Sequence, residues 1–354
     1  MRKIKTLTVK AEKKYKVYIG ENLLKTCGKI LKTEVLIKKP PRRILTVCDS
    51  RVAPLYFDSL KKSLTDAGFE VFLFTFESGE EHKNVDTLSK IIDAAAQNRL
   101  DRHDLFAALG GGTAGDLCGL AASLYMRGVR YLQFPTTLLA CIDAAIGGKT
   151  ACNTTYGKNL MGSFYSPDAV LIDPVTLTSL PQEIYSQGIA EAVKYGIISD
   201  RKILKILLGD FDNADLIYRC VKAKARFINK DFTEKGERKI LNFGHTAAHA
   251  IEKVSNYQIS HGQAVAAGII TAIKYSEKCG VCGKDLLRDI MPIYHKFGLC
   301  DSAGLPPCDL AAAALCDKKS CGENVDLVLI KDICRPVIVK VKKERLKDFF
   351  EVDL

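Results

Sequence analysis

Three histidines, His245, His249 and His261, fall within the stretch LNFGHTAAHAIEKVSNYQISHG. His245 and His249 have the four-residue spacing that sets two side chains on one helix face. Metal binding is the chemistry such a set offers, and two arrangements compete. A zinc-peptidase site takes the helical pair as ligands and needs a glutamate after the first histidine as base. Thr246 stands there, so that arrangement lacks the residue that does its chemistry. The other draws a carboxylate from elsewhere. Glu191, in GIAEAVKYGI with Lys194, lies in a helical pattern of mostly small or apolar residues. With His245 and His261 it makes a Glu plus two His set, which leaves positions on a metal open to substrate oxygens.

A second group suits anions. In LFAALGGGTAGDLCG an apolar strand pattern runs into Gly110, Gly111, Gly112 and Gly115, ahead of a helical pattern. Gly110, Gly112 and Gly115 satisfy GxGxxG, where backbone N–H groups and a helix N-terminus can approach a pyrophosphate. The acidic residue expected about twenty positions later to hold a ribose is missing. Asp49, at the end of ILTVCD, is the alternative. Further on, QFPTTLLACIDAAIGGKTACNTTYGKNLMGSF places Asp143 in an apolar helical stretch, and Lys149, Lys158 and Asn159 after glycines. A buried carboxylate there needs a partner or a function. Cations beside glycine-rich turns are what phosphate binding asks for.

The elements that must hold these residues follow from periodicity. RRILTVCDS, FEVFLFTFES, LFAALGGG, RYLQFPTT and DAVLID predict strands, and VDTLSKIIDAAAQN a helix, a βαβ rhythm that implies a parallel sheet. EIYSQGIAEAVKYGIIS, ADLIYRCVKAKARFI and GQAVAAGIITAIKYSEK predict helices. NVDLVLIKDICRPVIVKV reads as strand, and the basic N-terminus, MRKIKTLTVKAEKKYKVYIG, as a hairpin or edge strand instead of a secretory peptide. The expected organisation is an α/β Rossmann-like nucleotide-binding domain, residues 1–178, and a mainly helical metal- and substrate-binding domain, residues 179–354. Asp173 to Pro181 carries the boundary.

Composition narrows the class. A chain of 354 residues can bury a real core, and no apolar run is long enough for a membrane span. Thirteen cysteines, an odd number spread along the chain, indicate free thiols and a cytoplasmic protein instead of a disulfide framework. Cys279 and Cys282 form the one CxxC and have no second pair to complete a zinc ribbon, Cys316 and Cys321 being a poor substitute. The net charge of +11 comes from scattered lysines without interleaved aromatics. That favours a small anionic substrate over nucleic acid.

Taken in order, YKVYIG, SGEEHK, GGGTAGDLCG, YMRG, FPTTLLACIDAAIGGKTACN, GKNLMGSFY, AEAVKYG, LNFGHTAAHAIE, HGQAVAAG and CDKK resemble the 3-dehydroquinate synthase family over nearly the whole chain. The resemblance implies NAD and one divalent metal, zinc or cobalt, held by Glu191, His245 and His261. It implies NAD contacts at Asp49, Glu80, Lys83, Gly111, Gly112, Asp116, Thr136 and Thr137, with Lys149 and Lys158 shared with the substrate. Asp143, Asn159, Lys194, Lys224, Glu234, Arg238, Asn242, His249 and Lys318 correspond to substrate-pocket positions. Arg127 matches an arginine supplied across a homodimer interface. The implied substrate is 3-deoxy-D-arabino-heptulosonate 7-phosphate, with the phosphate at Lys149, Asn159, Asn242, His249 and Arg127 and the carboxylate at Lys224 and Arg238. The implied reaction is transient oxidation by NAD, phosphate elimination, re-reduction and an intramolecular aldol to 3-dehydroquinate.

The chain departs from the family pattern in four places. HGQAV has Gln263 for a glutamate, HTAAH replaces HTFGH, CDKK replaces HDKK, and Arg51 stands where an asparagine is expected. The first two are expected to alter the surroundings of the metal ligands, and Arg51 the adenosine end of the NAD site. Rival readings are another sugar-phosphate cyclase, such as a 2-deoxy-scyllo-inosose synthase, a metal-dependent polyol dehydrogenase, and a catalytically dead binding protein.

Overall fold

The computed structural model describes residues 4–37, 40–283, 285–315 and 323–352. The chain divides into two compact units, Met1–Leu180 and Pro181–Leu354.

The first unit is built on a twisted sheet. Its elements are β1 (Lys5–Lys10), β2 (Lys14–Ile19), α1 (Leu23–Ile30), β3 (Arg43–Asp49), α2 (Ala53–Asp66), β4 (Glu70–Phe76), α3 (Val85–Gln97), β5 (Leu105–Gly110), α4 (Gly112–Leu124), β6 (Arg130–Pro135), β7 (Lys149–Thr154), β8 (Gly157–Phe164) and β9 (Ala169–Ile172). The strand order is β1-β2-β9-β6-β5-β3-β4. The β1–β2 pair is antiparallel and the other neighbours are parallel. Strand alternation feeds two cores. On β3, Ile44 and Cys48 pack toward α1 and α2, while Leu45 and Val47 pack toward α3 and α4.

β4 lies on one side of β3 and β5 on the other, so the chain reverses direction across the sheet between β3 and β5. Ligands of open parallel sheets bind at such a reversal, beyond the carboxyl ends of the strands. Asp49 ends β3 there and Gly110 ends β5.

The strands read from the sequence are present, but the segment after β6 differs from its expected form. The apolar stretch around Asp143 is a wide helical turn, Ala140–Ala144, closed by Ala145 N donating to Ala140 O at 3.0 Å. Asp143 in it is half-buried, not buried as expected. The glycine-rich segment beyond is the antiparallel β7–β8 hairpin, which periodicity did not indicate.

The second unit comprises α5 (Gln182–Ile198), α6 (Arg201–Leu208), α7 (Asn213–Ile228), α8 (His245–Val254), α9 (His261–Lys278), α10 (Leu286–Phe297), α11 (Pro307–Leu315), β10 (Asn324–Ile330), β11 (Pro336–Lys342) and α12 (Leu346–Phe350). The single late strand expected from the sequence is the β10–β11 hairpin. Two glycines let α9 touch its neighbours backbone to backbone. A Cβ on Gly262 would lie 2.3 Å from Gln187 Cα on α5, and one on Gly268 would lie 2.2 Å from the Gly244 carbonyl oxygen at the start of α8. Gly268→Ala is therefore expected to destabilise the protein by about 1–3 kcal/mol through overpacking, read as a lowered midpoint in chemical denaturation, and to weaken metal binding by separating α8 from α9.

Candidate active site

α5, α8 and α9 converge on one carboxylate. Glu191 is fully buried in the middle of α5, among Ala190, Ala192 and Val193. Its Oε1 lies 3.4 Å from His245 Nε2, at the first residue of α8, and 3.7 Å from His261 Nε2, at the first residue of α9. These three side chains form the one group of potential metal ligands among the described residues, with donor atoms all within 4.8 Å of one another. Neither Glu191 oxygen has a well-directed hydrogen bond, so the buried acceptors are satisfied only by charge. That is the condition in which a carboxylate binds a cation.

Lys194, one turn further along α5 and 1% exposed, pairs with Glu191 Oε2. Burial alone would raise the Glu191 carboxyl, but Lys194 and then His245 outweigh it and hold it well below the usual range. Burial, followed by Lys194, pushes the His245 imidazole down to about 4, so its ring is neutral and free to donate a lone pair. Burial would also lower His261, yet the neighbouring Glu191 and Glu252 carboxylates raise it to about 10.

His249 stays outside the ligand group. Its ring meets His245 edge-on at a centroid distance of 5.8 Å, one turn along the same helix face. Nearby in sequence, Asn242 Nδ2 donates to Glu234 Oε1 at 2.5 Å, while Arg238, 1% exposed, donates to the Phe232 carbonyl and through its backbone N–H to Asp231 at 3.1 Å. Lys224 is buried on α7. Lys318 lies outside the described residues, as do Cys316 and Cys321.

The first unit sets Asp49, Gly111, Gly112, Thr136 and Thr137 at the carboxyl ends of β3, β5 and β6, beside the β3–β5 reversal. Asp49 Oδ1 accepts from the N–H groups of Arg51 and Val52, at 3.0 Å each, and closes its own turn. Its Oδ2 lies 3.2 Å from where a Cβ on Gly110 would sit. Gly111 caps α4 and Gly112 starts it. Thr136 N donates to the Gly110 carbonyl at 2.9 Å, and Thr137 Oγ1 accepts from Ala140 N at 3.1 Å. Glu80 accepts from Thr113 Oγ1 at 3.1 Å and Asn153 Nδ2 at 2.9 Å. Lys83, nearly buried, donates to Asp116 at 2.6 Å and to Asn159 Oδ1 at 2.7 Å. Burial would depress the Lys83 ammonium, but Asp116 and Glu80 win and raise it above the usual lysine value, so it stays charged. Lys149 is exposed at the start of β7, and Lys158 and Asn159 lie on β8. Arg127 is exposed in a turn where Met126 and Arg127 both have left-handed backbone, with φ of 47° and 66°.

Two residues carry roles that sequence reasoning missed or misread. Glu252 was unassigned, although it lies seven residues after His245 on the same helix face, the interval of two helical turns. Gln263 was expected to alter the metal surroundings. Instead its amide donates to the Gly298 carbonyl at 3.1 Å and accepts from Cys300 N at 2.7 Å, clamping the loop after α10. Ala247 and Ala248, the small residues of HTAAH, are fully buried, and Ala248 backs the approach of Gly268. A glutamate at 263 could accept from Cys300 but could not donate while ionised. Gln263→Glu is therefore expected to cost about 1–2 kcal/mol at pH 7 and less near pH 4, where a protonated carboxyl can donate. Denaturation of the metal-stripped proteins at the two pH values checks this, and the metal content of the variant at pH 7 should match wild type.

Comparison with known proteins covers most of the chain. The family profile for the 3-dehydroquinate synthase N-terminal region matches residues 73–187, and that for the 3-dehydroquinate synthase C-terminal region matches residues 188–320. A 3-dehydroquinate synthase from Clostridium kluyveri is 39% identical over 345 residues, covering 94% of each chain. Among solved structures, a 2-epi-5-epi-valiolone synthase from Streptomyces hygroscopicus with NAD+ and Zn2+ bound superposes with a TM-score of 0.83 at 25% identity over 95% of each chain. A 2-deoxy-scyllo-inosose synthase complexed with carbaglucose-6-phosphate, NAD+ and Co2+ also gives 0.83, at 24% identity over 98% of this chain and 99% of the other.

Proposed function

The chain belongs to the 3-dehydroquinate synthase family, and on that premise we propose how its residues divide the work of the family's reaction. That reaction converts 3-deoxy-D-arabino-heptulosonate 7-phosphate to 3-dehydroquinate and phosphate. The observation that carries the assignment is the Glu191–His245–His261 cluster, set in a chain that matches the synthases at 39% identity over almost its full length.

Glu191, His245 and His261 hold the divalent metal, zinc or cobalt, and their fit is the buried carboxylate without directed hydrogen bonds beside two imidazole Nε2 atoms. When bound, the metal would supply Lewis acidity toward substrate hydroxyl oxygens. NAD, when bound, would supply a reversible hydride acceptor for the carbon that bears a substrate hydroxyl.

The glycine loop offers backbone N–H groups at Gly111 and Gly112, at the start of α4, for the NAD pyrophosphate. Asp49 Oδ2, whose partner oxygen is occupied with its own turn, is the acceptor for a ribose hydroxyl. Glu80, Lys83, Asp116, Thr136 and Thr137 shape the same rim, with Lys83 holding the loop before α3, α4 and β8 together. Arg51 presents only its backbone N–H to Asp49, so its side chain leaves that turn intact.

In the second unit, Lys224 and Arg238 take the substrate carboxylate, Arg238 by the bidentate geometry its planar group allows. His249 and Asn242 take phosphate oxygens, and Glu234 orients the Asn242 amide through the 2.5 Å bond. Lys149, Lys158 and Asn159 of the first unit offer donors to anionic oxygens, and Asp143, Lys194 and Lys318 are carried as substrate positions by the family resemblance alone. Lys194 also steadies Glu191. Elimination needs little protein base when a departing phosphate oxygen takes the proton, so positioning and charge dominate.

We propose a homodimer in which Arg127 reaches the partner's site. Leu124 and Met126 beside it are about half exposed, at 47% and 48%. β8, joined to the end of α4 by Ser163 donating to Ser123 at 3.0 Å, adds the exposed Leu160, Met161 and Phe164. A cytoplasmic setting fits eleven free cysteines among the described residues. No helix among the described residues is long and apolar enough to cross a membrane.

The cyclase alternative uses substrates without a carboxylate and would leave the buried Lys224 and Arg238 without that ligand. Purified protein with NAD and a divalent metal should release phosphate from the heptulosonate phosphate and form 3-dehydroquinate without net NADH. Turnover of glucose 6-phosphate or sedoheptulose 7-phosphate in its place would overturn the assignment. His249→Ala should lower kcat/KM about 10²-fold while metal content by elemental analysis stays stoichiometric.

A further inference from the structure

Glu252, near the end of α8 and 6% exposed, has no part in the roles assigned above. Its Oε2 lies 3.2 Å from His261 Nδ1, while the other ring nitrogen faces Glu191. His245 has the same layout from different parts, with Nδ1 at 3.2 Å from the Phe243 carbonyl oxygen and Nε2 toward Glu191. In each ring an oxygen acceptor opposite the ligand face holds the proton on Nδ1, so Nε2, on the Glu191 side, is the nitrogen that a bound metal would take.

The two holders differ in a way that matters. Phe243 O is backbone, two residues from His245, and no side-chain change removes it. Both histidines begin their helices, so the difference in packing between them lies in exposure, and His261 is the looser of the two. Its side chain is 34% exposed, against 13% for His245. Packing therefore restrains it less, and the side chain that orients it comes from another helix and carries a charge.

We propose that Glu252 is a positioning residue for metal binding. It fixes His261 with Nε2 toward Glu191 and makes that nitrogen a stronger donor, without touching the metal. The inference rests on the metal reading above.

The test uses the full chain, stripped of metal, as wild type, Glu252→Gln and Glu252→Ala. Co2+ affinity is measured by competition with a chromophoric chelator, the visible spectrum of the Co2+ form is recorded, and the stripped proteins are melted. Glu252→Ala is expected to lose about 10–100-fold in affinity and to shift the Co2+ bands. Glu252→Gln keeps an acceptor for Nδ1–H and should recover most of the loss, remaining about threefold to tenfold weaker. Melting points that fall while affinity and spectrum match wild type would mean that Glu252 only packs α8 against α9, and would overturn the proposal. If the alanine variant does not fold, the glutamine variant decides, and wild-type affinity and bands in it likewise overturn it. A wild-type protein that binds no Co2+ would instead sink the metal reading itself.

Discussion

A carboxylate with no exposed surface sits in the middle of a helix of small and apolar residues, and the second unit is arranged around it. Isolated, the Glu191 charge would be driven out by the cost of leaving water. It stays because Lys194, His245 and His261 bring positive charge or donor groups to it from three helices. Each helix must then approach closely, and Gly262 and Gly268 supply the backbone contacts that allow it. Charge compensation and helix packing are thus one constraint, since neither holds without the other.

The same logic governs the first unit in a different material. Parallel strands present their carboxyl ends together, and the reversal between β3 and β5 leaves Asp49 and the Gly110 loop on one rim. Lys83, almost buried, is retained as a cation by Asp116 and Glu80 and spends its donors on α4 and β8. The rim carries ion pairs and backbone hydrogen bonds above the apolar core, which suits a place for a charged nucleotide.

Gln263 shows how a departure from a family pattern can mislead. A neutral amide beside a metal ligand suggests tuning of the metal, because sequence adjacency implies spatial adjacency. Successive residues of a helix point about a hundred degrees apart, and Gln263 faces the loop after α10. Asp143 misled in the opposite direction. Its apolar neighbours implied burial in a regular helix, whereas the chain forms a wide turn that leaves it half-buried.

The sequence by itself determined the elements with strong periodicity and the chemical types of the site. β3 to β6, α3, α5, α7 and α9 were legible because alternation or helical spacing repeats over each of them. The glycine loop and the Glu and His ligand set were legible because few other residue types can do their chemistry. The choice of His261 over His249 beside Glu191 was implied by the family resemblance, and the tertiary structure supplies its physical reason. Spacing pairs His245 with His249, but only the crossing of α8 and α9 brings His261 to the carboxylate. Tertiary structure alone decided the β7–β8 hairpin, where glycines and polar residues carry no period, and the contact of Glu252 with His261. Those features depend on distances between residues that local propensity does not encode.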